Sequence, residues 1–419
     1  ATKSALLKKM TNPSYFTHTL PNGLRIIHHQ TPSEISYCGI AVNTGTRDEY
    51  ADEFGIAHFV EHMLFKGTKR RRAHHIANRM ENVGGEMNAY TTKEETFFYA
   101  TFLEEYFSRA AELLSDIVFH SEFPAMQIDR EREVVLDEIN SYLDFPSELI
   151  YDDFENMLFA GHDIGHYILG TPESLGTFDH ARIERFVERQ YHPSRMVFFS
   201  SGKTPFHKVL RYVENYFQDN PLSQEKAKTR TPPTPAASGT IVLQKNTSQS
   251  HVMIGSRAYA MNRPERYPLY LLNNVLGGGT LNSRLNRSLR EKNGLVYNVE
   301  SNVTFYSDTG LFCVYFACDP KYTDKCLRLV KTELTKFRNT PFTSLQLSVA
   351  KKQWKGQLGI AAESNENQTL TMAKNFLHFN TIVSLEEVFE QIEVLTAEQI
   401  QEVAQEILDP SGLFLLKYD

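Results

Sequence analysis

The densest chemistry in this 419-residue chain lies in the run His58-Phe59-Val60-Glu61-His62. On a helix, residues four apart share one face, so the imidazoles of His58 and His62 can reach a single metal ion. Glu61 projects beside the same point and can hydrogen-bond a water there without being a ligand. A metal, a water and a carboxylate base are together equipment for hydrolysis. The plainer reading is three polar residues on an exposed helix. With 15 histidines in the chain, the chance expectation of this spacing is roughly 0.04, which favours the metal.

A catalytic metal of this kind commonly takes three protein ligands, two histidines and a carboxylate being a common set. The acidic segment 129–139 offers the carboxylate on a second predicted helix. Val134, Val135, Leu136 and Ile139 would form its apolar side, and Glu131 and Glu138, seven apart, share a face. Composition does not choose among Glu131, Glu133, Asp137 and Glu138.

The elements that must position these groups can be read around them. Residues 16–20 and 24–28 read as strands joined by the turn Pro21-Asn22-Gly23, a hairpin signal. A further strand is expected at 37–42, a helix from about Gly55, another at 74–82, and β structure through 86–102. Helical patterns then run over 103–118 and 125–143. Clustered prolines and small polar residues at 218–240 predict an extended linker. Beyond it the cadence repeats. Strands are expected at 239–244 and 251–255, and a helix at 267–276. The Gly277-Gly278-Gly279 turn leads to another helix ending near Glu291, then strands at 296–304 and 310–318. The expected domains are therefore 1–217 and 241–419, related by an internal duplication, with an α+β architecture of mainly antiparallel sheets packed with helices.

Composition narrows the function classes. A net charge of −7 gives no broad attraction to nucleic acid or anionic membrane, and the basic run 69–72 reads as a solvated loop. No apolar stretch approaches the roughly 20 residues needed to cross a bilayer. Four cysteines, Cys38, Cys313, Cys318 and Cys326, are too irregularly spaced for a disulfide scaffold or a zinc ribbon. Cys313 sits in an apolar, aromatic run and is expected in the core. Residues 1–10 lack the apolar core of a signal peptide, so a cytoplasmic location is expected, with export by way of a leader removed before Ala1 as the alternative. His162 and His166 have helical spacing, but Gly161 and Gly165 argue against a helix there.

His-x-x-Glu-His is the inverted form of the zinc-peptidase motif His-Glu-x-x-His. The longer run HFVEHMLFKGT (58–68) resembles the pitrilysin/insulinase clan. The similarity is greatest to its half-length, processing-peptidase-like branch of bacterial type. TLPNGLRII (19–27), GGEMNAYTTKEET (84–96), REREVVLDEI (130–139) and YHPSRM (191–196) also resemble family blocks.

The resemblance implies one zinc ion per chain, held by His58, His62 and Glu138. Glu61 would be the catalytic base and Glu131 would assist from behind the ligands. It further implies that Arg290 and Tyr297, in the block from Leu289 to Tyr297, contact substrate or transition state, and that Asn88, Ala89 and Tyr90 belong to a strand that pairs with a peptide. The expected activity is that of a zinc metalloendopeptidase acting on peptides or unstructured polypeptide. The two domains would form half of a clamshell completed by a second chain, as a homodimer or as a heterodimer with an inactive homologue. The rival from the same fold is a non-catalytic structural or assembly subunit, whose metal sites are typically damaged. Here every expected ligand is present.

Overall fold

The computed structural model describes residues 14–220, 227–235 and 238–419. The expectation for residues 1–10 and part of that for 218–240 lie outside them. In the first half, strands β1 (Tyr15–Thr19), β2 (Arg25–Gln30) and β3 (Ile35–Val42) lead to helices α1 (Ile56–Met63) and α2 (Ala73–Glu81). Strands β4 (Glu86–Thr91) and β5 (Thr96–Leu103) follow, then α3 (Phe107–Phe119), α4 (Ala125–Leu143) and α5 (Pro146–Leu158). Helices α6 (Pro172–Leu175) and α7 (His180–Gln190) precede β6 (Met196–Gly202) and α8 (Phe206–Phe217).

The second half runs β7 (Thr240–Leu243), β8 (Ser250–Ala258), α9 (Arg266–Gly277), β9 (Val296–Phe305) and β10 (Gly310–Cys318). Helices α10 (Thr323–Asn339), α11 (Ser344–Ala361), α12 (Asn365–Phe379), α13 (Leu385–Glu393) and α14 (Ala397–Ile407) then precede the final strand β11 (Phe414–Tyr418). The helix expected after the triple glycine is a six-residue π-turn, Asn286–Glu291. Residues 161–166 form turns rather than a helix, as their glycines suggested.

Two sheets organise the chain. The first has the order β1-β2-β6-β3-β5-β4 and the second β7-β11-β8-β10-β9. Each contains one parallel pair, β2 with β6 and β7 with β11, and is otherwise antiparallel. The architecture is α+β with two sheet-plus-helix domains, the class expected from the strand and helix runs.

The compact units are not consecutive halves. One comprises residues 1–137, 167–229 and 363–382, the other 138–166, 230–362 and 383–419. Helix α12, late in sequence, therefore belongs to the first unit. Its Met372, Ala373, Phe376 and Leu377 pack against Ile27, Ala41, Phe97 and Phe199 of the first sheet. Helix α5, early in sequence, belongs to the second unit. Its Ile150, Phe154 and Leu158 pack against Met253, Leu311, Cys313 and Leu416 of the second sheet. Burying a large apolar side chain is worth about 1.5–3 kcal/mol, so each transferred helix contributes substantially to the unit it joins.

The core of the first unit is built from strand text that is apolar on both faces. Phe97, Phe98 and Ala100 of β5 and Ile40, Ala41 and Val42 of β3 are fully buried. Gly39 is required where these strands close up, because a Cβ there would lie 2.4 Å from the Phe199 ring and 2.5 Å from the Phe98 carbonyl oxygen. All four cysteines are buried and free, and burial pushes the Cys313 thiol up to about 12. Among the described residues, no helix is long and apolar enough to cross a membrane.

Candidate metal centre

Helix α1 is short, and its start is fixed by its surroundings. Gly55 precedes it with φ of 94°, a left-handed conformation that glycine adopts without a Cβ penalty. A Cβ at Gly55 would also stand 2.7 Å from the Gly170 backbone. The buried Glu49 carboxylate accepts from the Gly55 N–H at 2.9 Å and the Ala57 N–H at 2.8 Å. It thus satisfies two helix-terminal donors and favours the positive end of the helix dipole. Burial pushes the Glu49 carboxyl well up, and these two bonds oppose that rise. The apolar members Ile56, Phe59, Val60 and Met63 are fully buried. They turn the face carrying His58, Glu61 and His62 toward α4.

His58, His62 and Glu138 converge there, with one ligand atom from each lying within 4.8 Å of the others. The two imidazole rings stand 4.6 Å apart in an edge arrangement. Burial, with a smaller contribution from His62, lowers the His58 imidazole to about 3, so it is neutral and its lone pair is available to a cation. The unit boundary at residue 138 falls within the continuous helix α4, so that helix alone fixes Glu138 relative to Glu131.

The rotation of α4 distinguishes the four acidic alternatives. Glu133 and Asp137 are exposed, Glu131 is buried and Glu138 is half-buried. Val134, expected on the apolar side, is 48% exposed, because the buried stripe is narrower than its run of valines suggests. Glu131 accepts from His62 Nδ1 at 3.2 Å and from Lys66 Nζ at 2.8 Å. Burial raises its carboxyl, but these partners outweigh that and hold it below the usual range. A carboxylate on one imidazole nitrogen orients the other nitrogen toward the ligand position.

Two residues of this arrangement carry no signal in the motif itself. Thr91 Oγ1 donates to Glu61 Oε2 at 2.6 Å and so orients the candidate base from the end of β4. Lys66, four residues beyond His62, holds the far oxygen of Glu131. Lys66 lies past the end of α1, so helical spacing from His62 does not find it, and Thr91 likewise could not be found without the fold.

The expected substrate strand is β4, at one edge of the first sheet. Asn88 is exposed and Ala89 half-buried. The Tyr90 ring turns inward and stacks on Phe97 at 4.9 Å, so at Tyr90 the backbone edge, not the ring, is open to pairing. Beside it, Glu61, His62, Phe65, Ile76, Met87 and Asn88 help line a cavity of about 370 Å³. In the second unit, the structure brings Arg290 and Tyr297 together. The guanidinium lies 5.5 Å from the centre of the Tyr297 ring, and that tyrosine is 83% exposed. Of the basic run 69–72, three residues are exposed, but Arg71 turns in to Asp116 at 2.7 Å and Glu112 at 2.9 Å.

The donor set, two imidazoles and one carboxylate with a second carboxylate behind a histidine, suits zinc. This fold and site define a class, the inverted-motif metallopeptidases. Residues 25–172 match the family model for insulinase (peptidase family M16), and residues 177–354 match that for the peptidase M16 inactive domain. The chain belongs to peptidase family M16. It is 30% identical over 391 residues to an uncharacterized zinc protease of Bacillus subtilis, covering 93% of this chain and 95% of that protein. It is 32% identical over 397 residues to one of Mycobacterium tuberculosis, covering 93% and 90%. A protease from Helicobacter pylori has the same fold, with a TM-score of 0.91 at 21% identity over 97% of this chain and 99% of that one. So does a peptidase M16 inactive domain from Pseudomonas fluorescens, with a TM-score of 0.89 at 19% identity, covering 96% and 97%.

Proposed function

We propose that this chain is a zinc metalloendopeptidase that cleaves peptides or unstructured segments of polypeptide. The observation that carries the reading is the convergence of His58, His62 and Glu138, with Glu61 on the same helix face. Bound by those three residues, zinc would act as a Lewis acid that makes water acidic near neutral pH.

The chain's own residues do the rest. Glu131 orients His62, and Thr91 holds Glu61 so that its second oxygen can take a proton from water. Attack on the scissile carbonyl follows, and Glu61 returns the proton to the leaving amine. The open edge of β4 receives the peptide as an added strand through Asn88, Ala89 and Tyr90. Main-chain hydrogen bonds then allow broad tolerance of sequence. Arg290 and Tyr297 donate hydrogen bonds to the substrate or the developing oxyanion. An intact ligand set together with the Arg–Tyr pair in one chain favours a homodimer over a heterodimer with an inactive partner.

The test is cleavage of a mixed peptide library by purified protein, with and without a chelator, with product mapping and zinc add-back. The expected result is cleavage that the chelator abolishes and zinc restores. Absence of cleavage by zinc-loaded protein, or cleavage indifferent to the chelator, would overturn the reading.

A further inference from the structure

The second unit contains a cavity of about 490 Å³ that takes no part in the chemistry above. The π-turn Asn286–Glu291, the turn after it, α10 and the connection to α11 enclose it. Its lining includes Arg284, Arg287, Lys292 and Lys336, against a single carboxylate, Glu333. That carboxylate is already engaged by Lys336 at 2.7 Å. Among the described residues, no protein oxygen hydrogen-bonds or ion-pairs with the side chains of Arg284, Arg287 or Lys292. Four cations thus share one concave surface with one carboxylate, Glu333, which is already bonded to Lys336.

Arg284 is the most constrained of them. Its guanidinium lies 4.1 Å from the centre of the Phe337 ring and 5.3 Å from that of Phe342. Aromatic faces hold such a group in place and leave its N–H fork unspent. Burial disfavours its charge, with only Glu333 opposing. Arg287 and Lys292 are exposed at the mouth. Arg284 is thus a half-buried cation held by aromatic faces, with two exposed cations at the entrance.

We propose that this cavity binds a compact polyvalent phosphate, such as a diphosphate or triphosphate group. A guanidinium fork matches two oxygens of one phosphate, and the further cations match the remaining charge of a chain of phosphates. The volume lies within the range of small-molecule sites. Leu329 and Pro341 are its apolar lining residues against four cationic ones, so charge leads the recognition.

The experiment is titration calorimetry of the full chain with inorganic tripolyphosphate at fixed ionic strength. Two double variants are compared, Arg287→Ala with Lys292→Ala and Lys325→Ala with Lys331→Ala. The first pair lies at the cavity mouth. The second removes the same charge from exposed positions on α10 that do not line it. The expected result is saturable one-to-one binding that weakens at least about tenfold in the first variant and less than about twofold in the second. Lack of saturable binding, or equal weakening in both variants, would overturn the proposal. So would tighter binding of hexaglutamate than of tripolyphosphate, which would mark the face as a dock for acidic protein instead.

Discussion

Leaving out β1, the two sheets of this molecule have the same order of pairing, yet the helices that follow their strands carry different chemistry. The order β2-β6-β3-β5-β4 in the first corresponds to β7-β11-β8-β10-β9 in the second, with the parallel pair at the same end. In each half the third strand of this order leads into a helix, α1 after β3 and α9 after β8. Counted back from Gly67-Thr68 and Gly279-Thr280, His58-Phe59-Val60-Glu61-His62 aligns with Tyr270-Leu271-Leu272-Asn273-Asn274. Counted from the starts of α4 and α11, Glu131 and Glu138 align with Ala350 and Gln357. Where the first half gathers ligands between two helices, the second packs Tyr270 of α9 against Trp354 of α11, with ring centres 5.9 Å apart. The same strand order thus supports a polar cleft that could hold a metal in one half and an aromatic contact in the other. Fold alone does not make the site; its donor residues do.

The sharpest way to break this comparison is at the base. Glu61→Gln makes the first half resemble the second, which has the amide Asn273 at the matching place. Peptide hydrolysis should fall about 10³-fold while zinc content, measured by metal analysis, stays at one per chain. A fully active Glu61→Gln protein would remove Glu61 from the mechanism.

The next effect belongs to the second half. If that half has exchanged metal chemistry for substrate contact, Tyr297→Phe should lower turnover by about 10²-fold, the usual scale for one lost oxyanion donor. Zinc content should not change. Turnover equal to that of the parent would leave Tyr297 as an exposed strand residue only.

Glu131 probes the support behind the ligands. Glu131→Gln keeps the shape but weakens the charged hold on His62 and Lys66. Zinc affinity, read by competition with a chelator dye, should fall about 10- to 100-fold. An unchanged affinity would mean that His62 is oriented by packing alone.

How much of this was legible in the sequence follows from the range of the interactions involved. The hairpin at Pro21-Asn22-Gly23 depends on neighbours within a few residues and could be read directly, whereas the start of α1 at Gly55 is held by Glu49 and packed on Gly170, contacts that local text does not show. The shared face of His58, Glu61 and His62 depends only on helical periodicity. Choosing Glu138 over Glu133 and Asp137 requires the rotation of α4 against the rest of the fold, which periodicity in an acidic helix does not supply. The exchange of α5 and α12 was also hidden. Both helices have ordinary amphipathic text, and nothing in it names the sheet each will cover. Thr91 and Glu49 act on α1 through contacts 30 and 6–8 residues away, set by the tertiary path.

The smallest effect tests whether the backbone around α1 is as specialised as its side chains. Gly55 and Gly279 both have positive φ, 94° and 77°, so alanine costs about 1 kcal/mol at either from conformation alone. Their surroundings differ. A Cβ at Gly279 meets nothing within 4 Å, whereas one at Gly55 meets the Gly170 backbone at 2.7 Å and the Leu169 carbonyl oxygen at 2.8 Å. Backbone cannot yield as a flexible side chain can, so relief must come from a shift of the α1 start, with His58 only three residues beyond. Gly279→Ala should therefore lower thermal stability slightly and leave zinc affinity intact. Gly55→Ala should lower stability further and weaken zinc binding at the same time. Equal losses of stability in the two variants, with zinc binding unaffected in both, would show that the first half positions its ligands without help from the tight turn that precedes them.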